Sequence, residues 1–175
     1  MFNLTKSLQE KLVFRSLNHT IMAILEVGFN WFSDTRRFIY FFNHIEGKDI
    51  LVKGLKKRGI VFLSPHLGNW EMFAFWIGSI VPVIALYKPV NLNIVNKIIY
   101  ESRRQFGLSL AQTSLEGVFK IKRSLKNRCV CVILPDQEPP SRTGIQSVFF
   151  GNYTRTISLV GKIIYSKKYF VFLGY

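Results

Sequence analysis

Apolar and polar positions change their rhythm once along this chain, near residue 45. Before it, Ile21, Ile24, Leu25, Gly28 and Trp31 recur at helical spacing, and Ser7-Leu8-Gln9-Glu10 fits a capping box. A long first helix is therefore predicted over about residues 7–32, followed by a short one around Thr35–Phe42. After it, short apolar runs alternate with amphipathic stretches. Strands are predicted at Ile60–Ser64, Val83–Tyr87, Ser109–Ala111, Cys129–Leu134, Gln146–Phe150 and Tyr169–Leu173. Helices are predicted at Asp49–Arg58, Asn69–Ser79, Asn91–Phe106, Ser114–Lys126 and Thr154–Ser166. Such alternation predicts an α/β fold with a central, mostly parallel sheet flanked by helices. The chain reads as one domain, an N-terminal helical segment over 1–44 and an α/β core over 45–175.

With 175 residues, 49% apolar and 15% aromatic, the chain can bury a real core and is not disordered. Its net charge of +14 is uneven: residues 1–87 carry ten Lys/Arg against six Asp/Glu, and residues 88–175 fourteen against four. A basic half prefers anionic partners, whether phospholipid headgroups, nucleic acid or an acidic protein. Lys120, Lys122, Arg123, Lys126 and Arg128 fall mostly on one helix face, which is either solvated or a contact for acidic lipid or carrier. Nucleic-acid binding would rest on charge alone, without a recognisable module. Met1–Lys6 lacks the apolar core of a signal peptide. The longest uncharged run, Met72 to Tyr87, is too short to span a bilayer and is broken by Gly78 and Pro82. Cys129 and Cys131 share a face of one strand and read as core thiols in a reducing compartment rather than a disulfide or zinc site.

Candidate chemistry concentrates where strands end. His66-Leu67-Gly68-Asn69-Trp70-Glu71 follows the apolar run 59–63 and leads into a helix. On a helix a five-residue step turns about 500°, so His66 and Glu71 converge only if His66 sits on the turn and Glu71 in the first helical turn. An imidazole oriented by a carboxylate is a general-base design; a polar turn residue beside a helix-start glutamate is the plainer reading. Gly68 lets backbone approach a substrate, and Asn69 is a natural N-cap. Arg103 borders the apolar stripe Ile94, Val95, Ile98, Ile99, Ser102, Phe106, where a guanidinium can reach an interior anion. Asp136-Gln137-Glu138 ends a buried strand, in the irregular loop 135–144, as a turn cluster or as site residues. No nucleophile elbow, Walker loop or dinucleotide fingerprint occurs.

Ser64–Glu71, Tyr87-Lys88-Pro89, Ser102–Gly107, Asp136-Gln137 and Phe149-Phe150-Gly151, in that order, resemble the late acyltransferases of lipid A biosynthesis, within the glycerolipid acyltransferase superfamily. The resemblance covers nearly the whole chain. It implies a membrane-associated enzyme moving a fatty acyl chain from acyl carrier protein to a hydroxyl of a lipid A precursor. His66 would then be the general base and Glu71 its orienting carboxylate. Asn69, Lys88, Arg103, Asp136 and Gln137 would bind substrate, and no metal or organic cofactor is implied. The expected location is the cytoplasmic face of the bacterial inner membrane, on an anionic membrane surface, without a nucleic-acid partner. Relative to the family pattern Met1 starts late and Tyr175 ends early. The expectation is thus a piece without the usual anchor, its core incomplete at the C-terminus. A truncated membrane-binding remnant without turnover, or a transferase with another phospholipid acceptor, are the competing expectations.

Overall fold

The computed structural model describes residues 4–139, 144–165 and 168–175. The middle of the expected 135–144 loop and the expected helix end at Ser166 lie outside them.

The first helix, α1 (Lys6–Phe32), starts one residue earlier than expected. Thr5 stands at its N-cap without a side-chain cap, and Ser7 lies inside the first turn, so the Ser7–Glu10 capping box does not form. Helix α2 (Thr35–Phe38) continues into a 3₁₀ turn, Ile39–Phe41. There follow α3 (Lys48–Lys57), β1 (Ile60–Leu63), α4 (Trp70–Ile80), β2 (Val83–Tyr87), α5 (Asn93–Gln105) and β3 (Leu108–Gln112). The chain continues through α6 (Leu115–Lys126), β4 (Val130–Ile133), β5 (Ile145–Phe149), β6 (Asn152–Thr156), α7 (Leu159–Ile164) and β7 (Phe170–Leu173).

Five of the strands form one parallel sheet in the order β3-β2-β4-β1-β7. Central β1 and β4 are apolar along their whole length because both faces are covered, as parallel strands require. Ile60, Phe62, Val130 and Val132 face a core completed by Phe38, Leu51, Phe75 and Trp76. Val61, Cys131 and Ile133 face the opposite core, with Ile121, Leu125 and Ile163 from α6 and α7. Period-two alternation thus splits each strand between two layers. Burial pushes the Cys131 thiol up to about 12, helped by Cys129 next to it, and raises Cys129 as well. Both cysteines are free, and neither is a thiolate at neutral pH.

After residue 144 the strand expected at 146–150 forms as β5, outside the central sheet, but the helix expected from Thr154 does not begin there. Instead β5 and β6 pair antiparallel as a separate hairpin. Its two-residue turn, Phe150-Gly151, has φ of 49° and 79°. Positive φ at both positions is the primed turn geometry that matches strand twist. The helix is confined to α7, beginning only after Ser158.

Helix α4 meets the α5–β3 corner backbone to backbone: a Cβ on Gly78 would lie 2.2 Å from the Phe106 carbonyl oxygen. Gly78→Ala should therefore destabilise the chain by about 1–3 kcal/mol or more, read as a lower urea midpoint. An unchanged midpoint would contradict this packing.

Candidate active site

The register of β1 on β4 builds the site. Leu63 pairs with Ile133, and the Ser64 N–H donates to the Ile133 carbonyl. A constant offset of 70 residues carries the pairing beyond the strand ends and places Asp136 opposite His66. The His66 backbone N–H donates to Asp136 Oδ2 at 2.8 Å, and the ring Nδ1 lies 2.7 Å from Oδ1. A carboxylate only accepts, so Nδ1 carries a proton, and in the neutral ring Nε2 is the nitrogen with the free lone pair. Nε2 makes no hydrogen bond to any described residue. Both side chains are about one-third exposed, reachable by substrate. Partial burial alone would raise the Asp136 carboxyl. The His66 ring, the His66 N–H and its own backbone N–H outweigh that and hold it below the ordinary carboxylate range.

The structure therefore corrects one expected role: the carboxylate on the His66 ring is Asp136, not Glu71. Gly68, with φ of 58°, turns the chain between the two. Asn69 then caps α4, its Oδ1 accepting from the Met72 N–H at 3.0 Å, as its residue type predicts. The Asn69 carbonyl takes the Phe73 N–H. The N–H groups of Trp70 and Glu71 have no intrahelical acceptor.

Glu71 points inward and is buried. Arg103 of α5 reaches it, with Nε at 2.9 Å and Nη2 at 2.8 Å from Oε1. On the other oxygen, Oε2, the indole N–H of Trp31 donates at 2.9 Å. The Arg103 guanidinium lies between the rings of Trp70 and Tyr87, 5.8 and 5.6 Å from their centroids. Trp70 also meets the His66 ring edge-on at 5.5 Å. Glu71 thus touches His66 only indirectly, through Arg103 and Trp70.

Lys88, beyond the end of β2, and Gln137 are exposed and make no hydrogen bond or ion pair with the other site residues. Two residues escaped the sequence reading. Trp31 stood there only as one of α1's apolar positions, and Asn30 not at all. Asn30 is fully buried, its Nδ2 donating to Asn69 Oδ1 at 2.7 Å. An amide among apolar neighbours at a helix end was the available signal.

A pocket of about 250 Å³ lies against the turn, lined by Ser64, Leu67, Gly68, Asn69, Phe73 and Tyr175 among others. Phe73 and Tyr175 also line a larger cavity of about 680 Å³, walled by Phe42, Phe62, Trp76 and Phe172. Among the described residues no His/Cys/Asp/Glu group could hold a metal ion.

The class these features define is a three-layer α/β domain with a histidine–carboxylate pair beyond two central strands, at the sheet's carboxyl end. Residues 3–172 match the family described as bacterial lipid A biosynthesis acyltransferase, and the chain belongs to that family. The lipid A biosynthesis palmitoleoyltransferase of Escherichia coli (strain K12) is 25% identical over 131 residues, covering 74% of this chain and 42% of that protein. The lipid A biosynthesis acyltransferase of Shigella flexneri matches with the same identity and coverage. The chain thus spans less than half the length of these relatives. The resemblance read from the motifs holds.

Two measurements check this geometry. Because the Asp136 carboxyl is depressed, the unfolded chain binds more protons just below the ordinary value of about 3.9. Its stabilisation is complete above that value and disappears as pH falls through the folded value. Asp136→Asn should lower the urea midpoint at pH 6, and the difference should shrink towards pH 3; a constant difference would contradict the pairing. Arg103→Met strands a buried carboxylate and should cost about 3–5 kcal/mol, whereas Glu71→Leu/Arg103→Met should cost less than the two single changes summed.

Proposed function

We propose that this chain transfers a fatty acyl group from the thioester of acyl carrier protein to a hydroxyl of a lipid A precursor, with His66 as general base. The observation that carries the reading is the His66–Asp136 pair, in which Nδ1 faces the carboxylate and Nε2 is left open at the sheet's carboxyl end. As the acceptor hydroxyl attacks the thioester carbonyl, its proton passes to Nε2. Asp136 stabilises the imidazolium that forms. The oxygen of the tetrahedral intermediate gains negative charge, and the Trp70 and Glu71 N–H groups at the start of α4 are suited to receive it. The intermediate collapses with cleavage of the C–S bond, and the leaving thiolate takes the proton from His66. Glu71 acts by holding Arg103, whose positive charge supports an anionic substrate group or the oxyanion. Asn69, Lys88 and Gln137 complete the substrate contacts.

Several features support the partners. The aromatic cavity walled by Phe42, Phe62, Trp76 and Phe172 suits a hydrocarbon chain. A cleft of about 560 Å³ between α6 and α7 is lined by Lys122, Arg123, Lys126, Lys162 and Lys168, with no acidic lining residue, and suits an acidic carrier. No helix among the described residues is long and apolar enough to cross a membrane. Helix α1 nevertheless exposes Phe14, Leu17, Ile21, Ile24 and Leu25, an apolar surface suited to lodging at the lipid interface. This supports residence on a membrane surface, and the proposed location is the cytoplasmic face of the inner membrane, on anionic lipid.

His66→Ala should reduce transfer by at least about 100-fold with the circular dichroism spectrum unchanged. Full activity in that variant would reject the mechanism. One acyl donor offered to lipid A precursor and to glycerophospholipid in parallel identifies the acceptor, and preference for the latter would reassign it.

A further inference from the structure

Helix α1 runs for 27 residues, and the one buried residue within it is polar: Asn30. A leucine at that position would bury apolar surface without needing a partner, whereas an amide loses free energy on burial unless it is hydrogen-bonded. Asn30 meets that demand through one residue, Asn69. Its Nδ2 donates to Asn69 Oδ1 at 2.7 Å, and its Oδ1 accepts from Asn69 Nδ2 at 3.4 Å. The same Asn69 oxygen caps α4, so Asn30 holds the turn that follows His66 and sets where the first N–H groups of α4 point.

The next residue repeats the arrangement one step further into the site. Trp31 occupies Glu71 Oε2 while Arg103 occupies Oε1. With one oxygen fixed by a rigid indole, the carboxylate cannot rotate freely, and Arg103 is held between Trp70 and Tyr87. Consecutive residues on α1 thus bind two positions of the His66–Glu71 segment, each by a directional hydrogen bond, where apolar packing would have served for stability alone. Polar contacts of this kind specify register more than they add stability.

We propose that Asn30 and Trp31 are positioning residues of the reaction centre: α1 sets the geometry of the His66–Glu71 turn and of Arg103 through them. The inference rests on the function proposed above. It has the consequence that whatever fixes the tilt of α1, most of whose length is exposed and rich in apolar side chains, acts directly on the site.

The test uses Trp31→Phe, which keeps an aromatic ring and loses the N–H donor, and Asn30→Ala. Thr20→Ala, exposed on the same helix, serves as control. Transfer is measured with an acyl-carrier-protein thioester and a lipid A precursor, below the unfolding transition of every variant. The expected result is a fall in kcat of tenfold or more in both site variants. The KM for the acyl donor should stay within twofold, and Thr20→Ala should match the parent. In parallel, hydrogen exchange at the Met72 amide should accelerate in Asn30→Ala while amides of β1 and β4 keep their protection. A purely structural role predicts instead uniform loss of protection, with kcat restored once the folded fraction is matched, and that result would overturn the proposal. So would kcat within twofold of the parent in Trp31→Phe, which also decides the matter if Asn30→Ala does not fold. Hydrogen exchange separates the two readings: if His66→Ala retained transfer, the proposed function would fall, while Met72 exchange would still report whether α1 holds the turn.

Discussion

The parallel pairing of β1 with β4 is the constraint on which the rest depends. These strands are neighbours although β2 and β3 lie between them in sequence, so their registration joins parts of the chain 70 residues apart. Each is buried on both faces, and a one-residue slip of β1 would send Ile60 and Phe62 into the layer opposite Val130 and Val132. The cost of that slip fixes the register, and the register fixes the loops beyond it. His66 and Asp136 meet because both lie three residues past paired strand ends. The His66–Asp136 geometry is thereby supported by the most buried part of the fold.

Glu71 illustrates how a motif residue can be engaged in a different place from the one its spacing suggests. A carboxylate on an otherwise apolar helix face needs compensation. It receives three directional contacts: two guanidinium donors and one indole N–H. That network draws together α1, α4 and α5, three helices with no common strand. It also keeps Arg103 in place against the Trp70 and Tyr87 rings, where a free arginine would extend into solvent. The Glu71 side chain therefore links the packing of helices to the electrostatics of the site.

Local patterns were readable wherever residues close in sequence decide the outcome. The run 60–63, the Gly68 turn and the Asn69 cap were all legible, because strand burial, positive φ and helix capping each leave a residue-type signature. Arg103 at the border of an apolar stripe was legible for the same reason. Asp136 could be recognised as a strand-end residue, but not as the partner of His66. That pairing follows from strand order, which short apolar runs do not encode. The β5–β6 hairpin was hidden by Phe150 at a positive-φ turn position, which glycine or asparagine more often fills. Asn30 and Trp31 lie 39 and 40 residues from their partners, and helical periodicity alone marked one as apolar and passed over the other.

The central claim is that Asp136, not Glu71, sets the His66 tautomer. The nitrogen resonances of the His66 ring, read by NMR in the folded chain near pH 8, test it most directly. The account predicts protonation at Nδ1 in the parent and in Glu71→Gln, and a shift towards the Nε2-protonated form in Asp136→Asn. A parent-like tautomer in Asp136→Asn, with the shift appearing in Glu71→Gln instead, would contradict it.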